Sequence, residues 1–219
     1  MKIEEIKNIY NTNKAMFEDR LSSFRKIWAD GDDLKIFEEL CYCICTPREK
    51  AENALNAINS LTDNNCELLT NGDYDKIDKV LCRNGIALHP KKATRIINNR
   101  AMFYPNTKEQ LKERYNFDNI MEVREKLVRD VVGFGFKEAS HFLRNIGFSS
   151  NLAIIDTHIK NQLVKYGVIE KSSTKNTSIS KKQYYAIEKK MIEFANKIDI
   201  PIDILDMVLM YSENKKIIK

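Results

Sequence analysis

Glycine and proline are scarce in this chain, with only seven glycines and four prolines among 219 residues. Because these residues make most tight turns, their scarcity predicts few turns and long elements. Apolar residues recur at helical spacing, as in Phe17, Leu21, Phe24 and Trp28. The sequence therefore predicts an all-α fold, and its length suits two helical lobes that share a cleft.

Two breaks in the helical pattern divide the chain into these lobes. Residues 29–33, with the sequence ADGDD, break the chain and cap the next helix, and Gly147 ends a later helix. We expect residues 34–147 to form a central lobe, and residues 1–33 and 148–219 to form the second lobe.

The charge balance is mildly basic, with a net charge of +5 and a pI near 8.8. Such an excess fits a polyanionic partner, although a solvated, lysine-rich surface explains the composition equally well. No apolar run approaches the ~20 residues that a membrane-spanning helix needs. The charged start of the chain does not resemble a signal peptide. We expect a cytoplasmic monomer that does not bind membranes.

The five cysteines are Cys41, Cys43, Cys45, Cys66 and Cys82. A helix through the first three places Cys41 and Cys45 on one face, and we interpret all five as reduced and buried. Zinc sites use paired cysteines or nearby histidines, and this pattern has neither. No cysteine follows Cys82, so the C-terminal half cannot ligate an iron–sulfur cluster. The sequence predicts no metal centre built from these residues.

A helical stripe ends near Val131, and a second helix restarts at Lys137 after the turn Gly133-Phe134-Gly135. Two glycines two residues apart permit positive φ angles and close backbone approach. The N–H groups and positive dipole end of the second helix converge there, which is the geometry that grips a phosphate. We interpret the segment as a helix-hairpin-helix at the end of the central lobe, with Gly133 and Gly135 as DNA-binding residues.

Lys137 and Asp156 are the candidate catalytic residues. Lys137 lies in the first turn of a helix, where the dipole favours the neutral amine that Schiff-base chemistry requires. A solvated lysine that contacts one phosphate is the alternative. Asp156 follows four apolar residues and opens the next helix, so it can be both an N-cap and a rigid carboxylate at a cleft. One helix and one loop separate the two residues, which allows them to meet.

A family resemblance rests on the stretch VGFGFKEASHFLRNIG at 132–147, followed by IDTHI at 155–159. These residues resemble the signature of the helix-hairpin-helix DNA glycosylase/lyase superfamily. The stretch KEASHFLRN is similar to the small archaeal-type, or second-group, 8-oxoguanine DNA glycosylases, as are residues 39–47 and 206–219. Endonuclease III and adenine glycosylases normally carry a cysteine cluster that this chain lacks. The chain departs from the expected tryptophan before Tyr211, where it has Met210.

The resemblance implies that duplex DNA containing a damaged base is the partner, and that the base is flipped into the cleft. Lys137 would then attack C1′ of the sugar, Asp156 would stabilise the developing positive charge, and β-elimination would nick the strand. The family needs no redox cofactor. Its hairpin carbonyls often bind a monovalent cation, here at Val132 and its neighbours.

The remaining candidates concern DNA contacts and base recognition. Arg48 follows a helix-ending Thr46-Pro47 turn, and the family resemblance implies that its side chain inserts into the gap left by the flipped base. The alternative is an ordinary surface arginine. His158 is expected to contact DNA or to be a structural histidine. Lys219 and Met210 are candidates for base recognition. The alternative is a basic tail that only contacts phosphates. Two candidates are weaker. Leu88-His89 is either a wedge on the opposite side of the DNA gap or a simple turn. His141 either faces the cleft or packs in the interior.

Two alternative functions remain open from the sequence. One is a glycosylase/lyase for another oxidised base, and the other is a non-catalytic helix-hairpin-helix module that binds DNA. Both functions are compatible with the basic charge and the hairpin.

Overall fold

The structure is a computed structural model that describes residues 2–63, 67–174 and 179–215. All regular elements in these ranges are helices, which confirms the predicted all-α fold. No helix in these ranges is long and apolar enough to cross a membrane.

Most of the helices follow one another with short connections, and the longest connections lie on either side of α11. The N-terminal pair is α1 (Lys2–Thr12) and α2 (Lys14–Asp30). Eight helices follow: α3 (Asp33–Cys45), α4 (Ala51–Thr62), α5 (Glu67–Asn71), α6 (Tyr74–Arg83), α7 (His89–Phe103), α8 (Thr107–Arg114), α9 (Ile120–Asp130) and α10 (Phe136–Asn145). The last three are α11 (Thr157–Lys165), α12 (Lys181–Ile198) and α13 (Ile202–Asn214), with a 3₁₀ helix at Lys171–Thr174 before α12.

Local signals set the ends of several helices. The carboxylate of Asp32 accepts hydrogen bonds from the backbone N–H groups of Leu34 and Lys35, at 3.0 and 3.1 Å, and so caps α3. This confirms the predicted cap in the 29–33 break. The helix ends at Cys45, directly before the Thr46-Pro47 turn, as predicted. Pro90 lies in the first turn of α7, where a missing N–H has no partner to lose.

Helix α3 lies at the centre of the first hydrophobic cluster. Helical periodicity places Phe37, Leu40, Cys41 and Ile44 on one side of this helix and predicts one buried face, but every residue from 36 to 45 is buried. The reason is that α2, α4, α7, α8 and α10 all pack around this helix. Cys41, Cys43 and Cys45 are free thiols inside this core, as predicted, and burial raises the pKa of Cys45 to about 12. Cys82 is exposed, so its predicted burial is wrong, and Cys66 lies outside the described residues.

A second hydrophobic cluster brings the two ends of the chain together. Helix α13 packs against α1, α2, α11 and α12, and its apolar residues from Ile204 to Leu209 are buried. The extended residues 153–155, which precede α11, belong to the same cluster through Ala153 and Ile155. Residues of the first cluster run from Ile36 to Leu152. The exact lobe boundaries at 34 and 147 stay a prediction.

Candidate active site

The turn between α9 and α10 requires glycine at one position only. Gly133 has a φ of +104°, and a Cβ atom there would lie 2.6 Å from Cδ of Arg95. Gly135 has a φ of −109° and extended backbone that any residue can adopt. The positive φ that both glycines permit therefore occurs at Gly133 and not at Gly135, because the left-handed residue lies at the start of the turn.

Asn99 binds the hairpin turn to α7. Its side-chain amide donates to the carbonyl of Val132 at 3.0 Å, and its side-chain carbonyl accepts from the N–H of Val132 at 3.1 Å. Asn99 is fully buried. Because these two hydrogen bonds hold the peptide groups on both sides of Val132, the turn is fixed against α7.

Glu138 occupies one backbone donor at the start of α10. Its carboxylate accepts a hydrogen bond from the N–H of Gly135 at 3.1 Å. A carboxylate at this end of a helix also interacts favourably with the dipole. The carboxylate of Glu138 thus already lies at the N-terminus of α10, and the N–H of Gly135 is hydrogen-bonded to it.

Lys137 is the second residue of α10 and so lies in its first turn, as the sequence predicts, although the helix begins one residue earlier, at Phe136. Its side chain is 18% exposed. Nζ lies 2.9 Å from Oγ1 of Thr46 and 3.8 Å from Oε1 of Glu138. The amine is therefore half-enclosed, with a hydroxyl acceptor on one side and a carboxylate on the other.

A buried lysine holds the turn that carries Thr46. Nζ of Lys92, which is 1% exposed, donates to the carbonyls of Cys45 and Pro47, each at 2.8 Å. It also lies 3.9 Å from the carboxylate of Glu49. Burial lowers the pKa of Lys92, and the positive charge of Lys137 acts in the same direction. Two lysines thus meet at the C-terminal end of α3, where unpaired carbonyls favour cations.

Asp156 is the N-cap of α11, as the sequence predicts. Its Oδ1 accepts from the N–H of Ile159 at 2.8 Å, which leaves Oδ2 outside the cap. The four residues before it, 152–155, are all buried. Within the described ranges Asp156 and Lys137 form no ion pair shorter than 4 Å, since the amine of Lys137 contacts Thr46 and Glu138 instead.

Tyr184 of α12 connects the helix of Lys137 to the segment before Asp156. Its hydroxyl donates to the carbonyl of Ala153 at 2.7 Å and accepts from the N–H of Ile155 at 3.3 Å. It also lies 3.3 Å from Oγ of Ser140, one turn after Lys137 in α10. Tyr184 therefore contacts both the helix that carries Lys137 and the segment that precedes Asp156.

A buried ion pair reinforces this junction. Arg124 of α9 is fully buried and contacts both carboxylate oxygens of Glu188, at 2.5 and 2.8 Å. Glu188 also accepts from the N–H of Ala153 at 2.9 Å, and Arg124 reaches Ser140 at 3.2 Å. Bidentate geometry of this kind strongly constrains both partners. It fixes α9, α10, α12 and the 153–155 segment relative to one another.

The loops of Arg48 and Leu88 meet at the protein surface. Both residues are exposed and both have left-handed backbone, with φ of +63° and +57°. Glu49 joins the loops by accepting from the N–H of Ala87. Such strained residues cluster at functional sites. His89, by contrast, lies 2.6 Å from the carboxylate of Asp78, which ties it to α6.

The remaining predicted residues lie in different surroundings. His158 is exposed, with its ring 3.8 Å from the carboxylate of Glu213. His141 is 7% exposed and packs edge-on against Tyr42, so it is a packed histidine. Met210 is half-buried against the second hydrophobic cluster. Lys219 lies outside the described residues.

Sequence reasoning missed the residues that hold the site together. The sequence places Thr46 only in a helix-ending turn, and it gives no signal that singles out Lys92, Asn99 or Tyr184. Each acts through a partner at least 29 residues away, as Tyr184 does with Ile155. Periodicity and capping report only near neighbours, so no local signal could have revealed them.

Known proteins are similar in sequence to this chain over almost its whole length. The family model described as 8-oxoguanine DNA glycosylase matches residues 17–200. A Fusobacterium nucleatum protein named 8-oxoguanine DNA glycosylase/AP lyase is 35% identical over 216 residues, which cover 98% of this chain and 96% of that protein. A Methanocaldococcus jannaschii protein of the same name is 30% identical over 218 residues, covering 100% of this chain and 98% of that one.

Solved structures extend the agreement to the fold. The 8-oxoguanine DNA glycosylase of Thermotoga maritima has a TM-score of 0.86 at 27% identity, and covers 99% of this chain and 98% of its own. The Methanocaldococcus jannaschii 8-oxoguanine glycosylase/lyase, in complex with a 15mer DNA containing 8-oxoguanine, has a TM-score of 0.87 at 27% identity and covers 100% of both chains. With the matches in sequence and family, these likenesses show that the chain belongs to the 8-oxoguanine DNA glycosylase family.

Proposed function

We propose that this protein, acting as a single copy, excises 8-oxoguanine from duplex DNA and nicks the strand at the resulting abasic site. Lys137 is the nucleophile and Asp156 is the assisting carboxylate. One observation carries the assignment of residues. Lys137 follows the hairpin turn directly and Asp156 caps the next helix, in a chain that matches 8-oxoguanine glycosylase/lyases over its full length.

The chemistry begins with the neutral amine of Lys137. It attacks C1′ of the flipped nucleotide while the N-glycosidic bond breaks, and the base leaves with the bonding electrons. One proton of the amine passes to the ring oxygen as the C1′–O bond of the sugar opens, which gives a protonated imine between C1′ and Nζ. Removal of a proton from C2′ then breaks the C3′–O bond, which cleaves the strand on the 3′ side of the lesion.

Asp156 supplies negative charge where positive charge develops on the sugar. Its Oδ1 is held by the N–H of Ile159, so the carboxylate is fixed before substrate arrives. The 153–155 segment is clamped by Tyr184 and Glu188, which extends the rigidity to the backbone. A preorganised charge needs no reorganisation during the reaction, and this is what makes such groups effective.

Lys137→Gln tests the nucleophile. The variant should bind lesion DNA, yet it should neither release 8-oxoguanine nor form a covalent adduct on borohydride reduction. Lys126→Gln is a matched control, because Lys126 lies on the other hairpin helix and its ion-pair partner among the described residues is Glu122, at 2.8 Å. Unchanged crosslinking by Lys137→Gln would overturn the assignment.

The two alternative functions give different results in the same assay. A non-catalytic DNA-binding module would form no adduct with any duplex. A glycosylase for another lesion would form adducts, but a panel of single-lesion duplexes would rank another oxidised base above 8-oxoguanine.

DNA contacts are proposed for two surfaces. The hairpin backbone at Gly133 and Gly135 contacts phosphates, together with His158, and these contacts carry no sequence information. Arg48 enters the gap left by the flipped base, which its exposure and left-handed backbone support. Arg48→Ala should weaken binding to a duplex with a flipped base more than to an undamaged duplex.

We propose that Lys219 reads the base, together with Met210. 8-Oxoguanine differs from guanine by an N7–H donor and an O8 acceptor, and a buried donor without a partner costs about 1–3 kcal/mol. Deletion of Lys219 should abolish 8-oxoguanine excision while nicking of a preformed abasic site continues. Equal, salt-dependent loss of both activities would instead indicate a tail that binds phosphates.

A monovalent cation at the hairpin carbonyls is also proposed. The carbonyl of Val132 accepts one hydrogen bond, from Asn99, and a carbonyl oxygen has two lone pairs. One lone pair thus remains for a cation. Binding of undamaged duplex should then differ between potassium and tetramethylammonium salts at equal ionic strength.

A further inference from the structure

The hydroxyl of Thr46 is committed to two partners. Oγ1 lies 3.0 Å from the carbonyl oxygen of Cys43 and 2.9 Å from Nζ of Lys137. A carbonyl oxygen can only accept, so the hydroxyl proton is donated to Cys43. Oγ1 is then an acceptor, and it takes an N–H of Lys137 whether the amine is charged or neutral.

We propose that Thr46 is a positioning residue that holds the amine of Lys137 for attack on the sugar. The inference rests on the proposed function, because it takes Lys137 as the nucleophile. In the neutral amine an N–H points at Thr46, and the nitrogen lone pair consequently points away from it. A lysine side chain is a flexible four-carbon stem, and a fixed acceptor at its tip removes much of that freedom. Rate gains from such orientation are large.

Thr46 is itself rigid enough for this task. It is 8% exposed, and its neighbours on both sides are held by Lys92, through the carbonyls of Cys45 and Pro47. Lys92 is buried and also lies near Glu49. The acceptor is thus fixed by the end of α3 and by α7, two elements of the first hydrophobic cluster, rather than by α10, which carries the nucleophile.

The chain offers a matched control for the test. Thr62 also ends a helix, α4, and its hydroxyl also donates to the carbonyl three residues earlier, that of Asn59, at 3.0 Å. Among the described residues, its hydroxyl contacts no lysine amine. Thr62→Val therefore removes the same local hydrogen bond without touching Lys137.

The experiment measures borohydride trapping on a preformed abasic duplex and single-turnover excision of 8-oxoguanine. Thr46→Val should lower both rates about tenfold, the effect of losing one orienting hydrogen bond. Duplex affinity should be unchanged, because no phosphate contact is lost. Thr46→Ser should restore both rates, and Thr62→Val should match wild type. If the valine variant does not fold, Thr46→Ala removes the hydroxyl without a methyl beside the amine, and the same loss is expected.

The outcomes separate this inference from the proposed function. Wild-type protein that forms no adduct overturns the proposed function, and the role of Thr46 with it. Adduct formation by wild type and Thr46→Val at equal rates overturns the role of Thr46 alone. A loss that Thr46→Ser fails to rescue also overturns it, since the methyl group and packing would then be responsible.

Discussion

Tyr184→Phe removes one hydroxyl and should weaken the connection between the helix that carries Lys137 and the segment that precedes Asp156. The ring stays in place, packed against Phe136 with centroids 5.5 Å apart. The variant loses the bonds to the carbonyl of Ala153 and the N–H of Ile155, and the contact with Ser140. Burial raises the pKa of Tyr184, so the hydroxyl is a hydrogen-bond donor throughout the neutral range.

The expected loss of stability follows from these contacts. Two backbone groups inside the protein are left without the hydroxyl, and each unsatisfied group costs about 1–3 kcal/mol. The bond to Ile155 is long at 3.3 Å, which places its share near the lower limit. A total near 3 kcal/mol lowers Tm by about 6–12 °C in a chain of this size.

The expected loss of activity follows from the position of Asp156. Ile155, the residue directly before it, is freed from Tyr184, and small displacements at a reacting centre lower rates by about 10- to 100-fold. Single-turnover excision of 8-oxoguanine and thermal unfolding measure the two effects. Affinity for undamaged duplex should change little, because the hairpin and its Asn99 clamp are untouched.

Tyr185→Phe is the matched control. Tyr185 lies next in α12, and its hydroxyl donates to the carboxylate of Glu125 at 2.8 Å near the surface and also contacts Arg124. Because no backbone group is left unsatisfied, the loss should cost less than about 1 kcal/mol. The reasoning fails if the Tm of Tyr184→Phe lies within about 2 °C of that of Tyr185→Phe, or if both variants excise 8-oxoguanine at the wild-type rate.

Three further predictions concern other parts of the site. Asp156→Asn should keep its Tm, because asparagine is an equally good N-cap, while excision falls by about 100-fold or more; near-wild-type activity would make Asp156 a cap only. Gly133→Ala should weaken binding to all duplexes about tenfold in fluorescence anisotropy, because of its positive φ and the clash with Arg95. The affinity of Gly135→Ala should stay within about threefold of wild type, and equal effects of the two variants would contradict the turn geometry. Lys92→Met should lower the free energy of unfolding by about 2–4 kcal/mol in urea, since two carbonyls lose their donor; an unchanged midpoint would show that the turn does not depend on Lys92.

Interactions between near neighbours were predictable from the sequence. The all-α fold follows from helical periodicity and scarce turn residues, and the caps at Asp32 and Asp156 from carboxylates placed before helical runs. Lys137 was assigned to the first turn of its helix because the glycine-containing turn lies directly before it. Each of these signals spans three or four residues, the reach of a helical turn, so one sequence contains them completely.

Only the tertiary structure decided what surrounds these residues. Lys137 meets Thr46 across 91 positions, Asn99 reaches Val132 across 33, and Tyr184 reaches Ala153 across 31. Burial of α3 on all sides likewise depends on five other helices, although the periodicity predicted a single buried face. A polar residue in a helix has the same local pattern whether it faces water or a distant backbone group. Its partner is chosen by how the helices pack, and packing is a property of the whole chain.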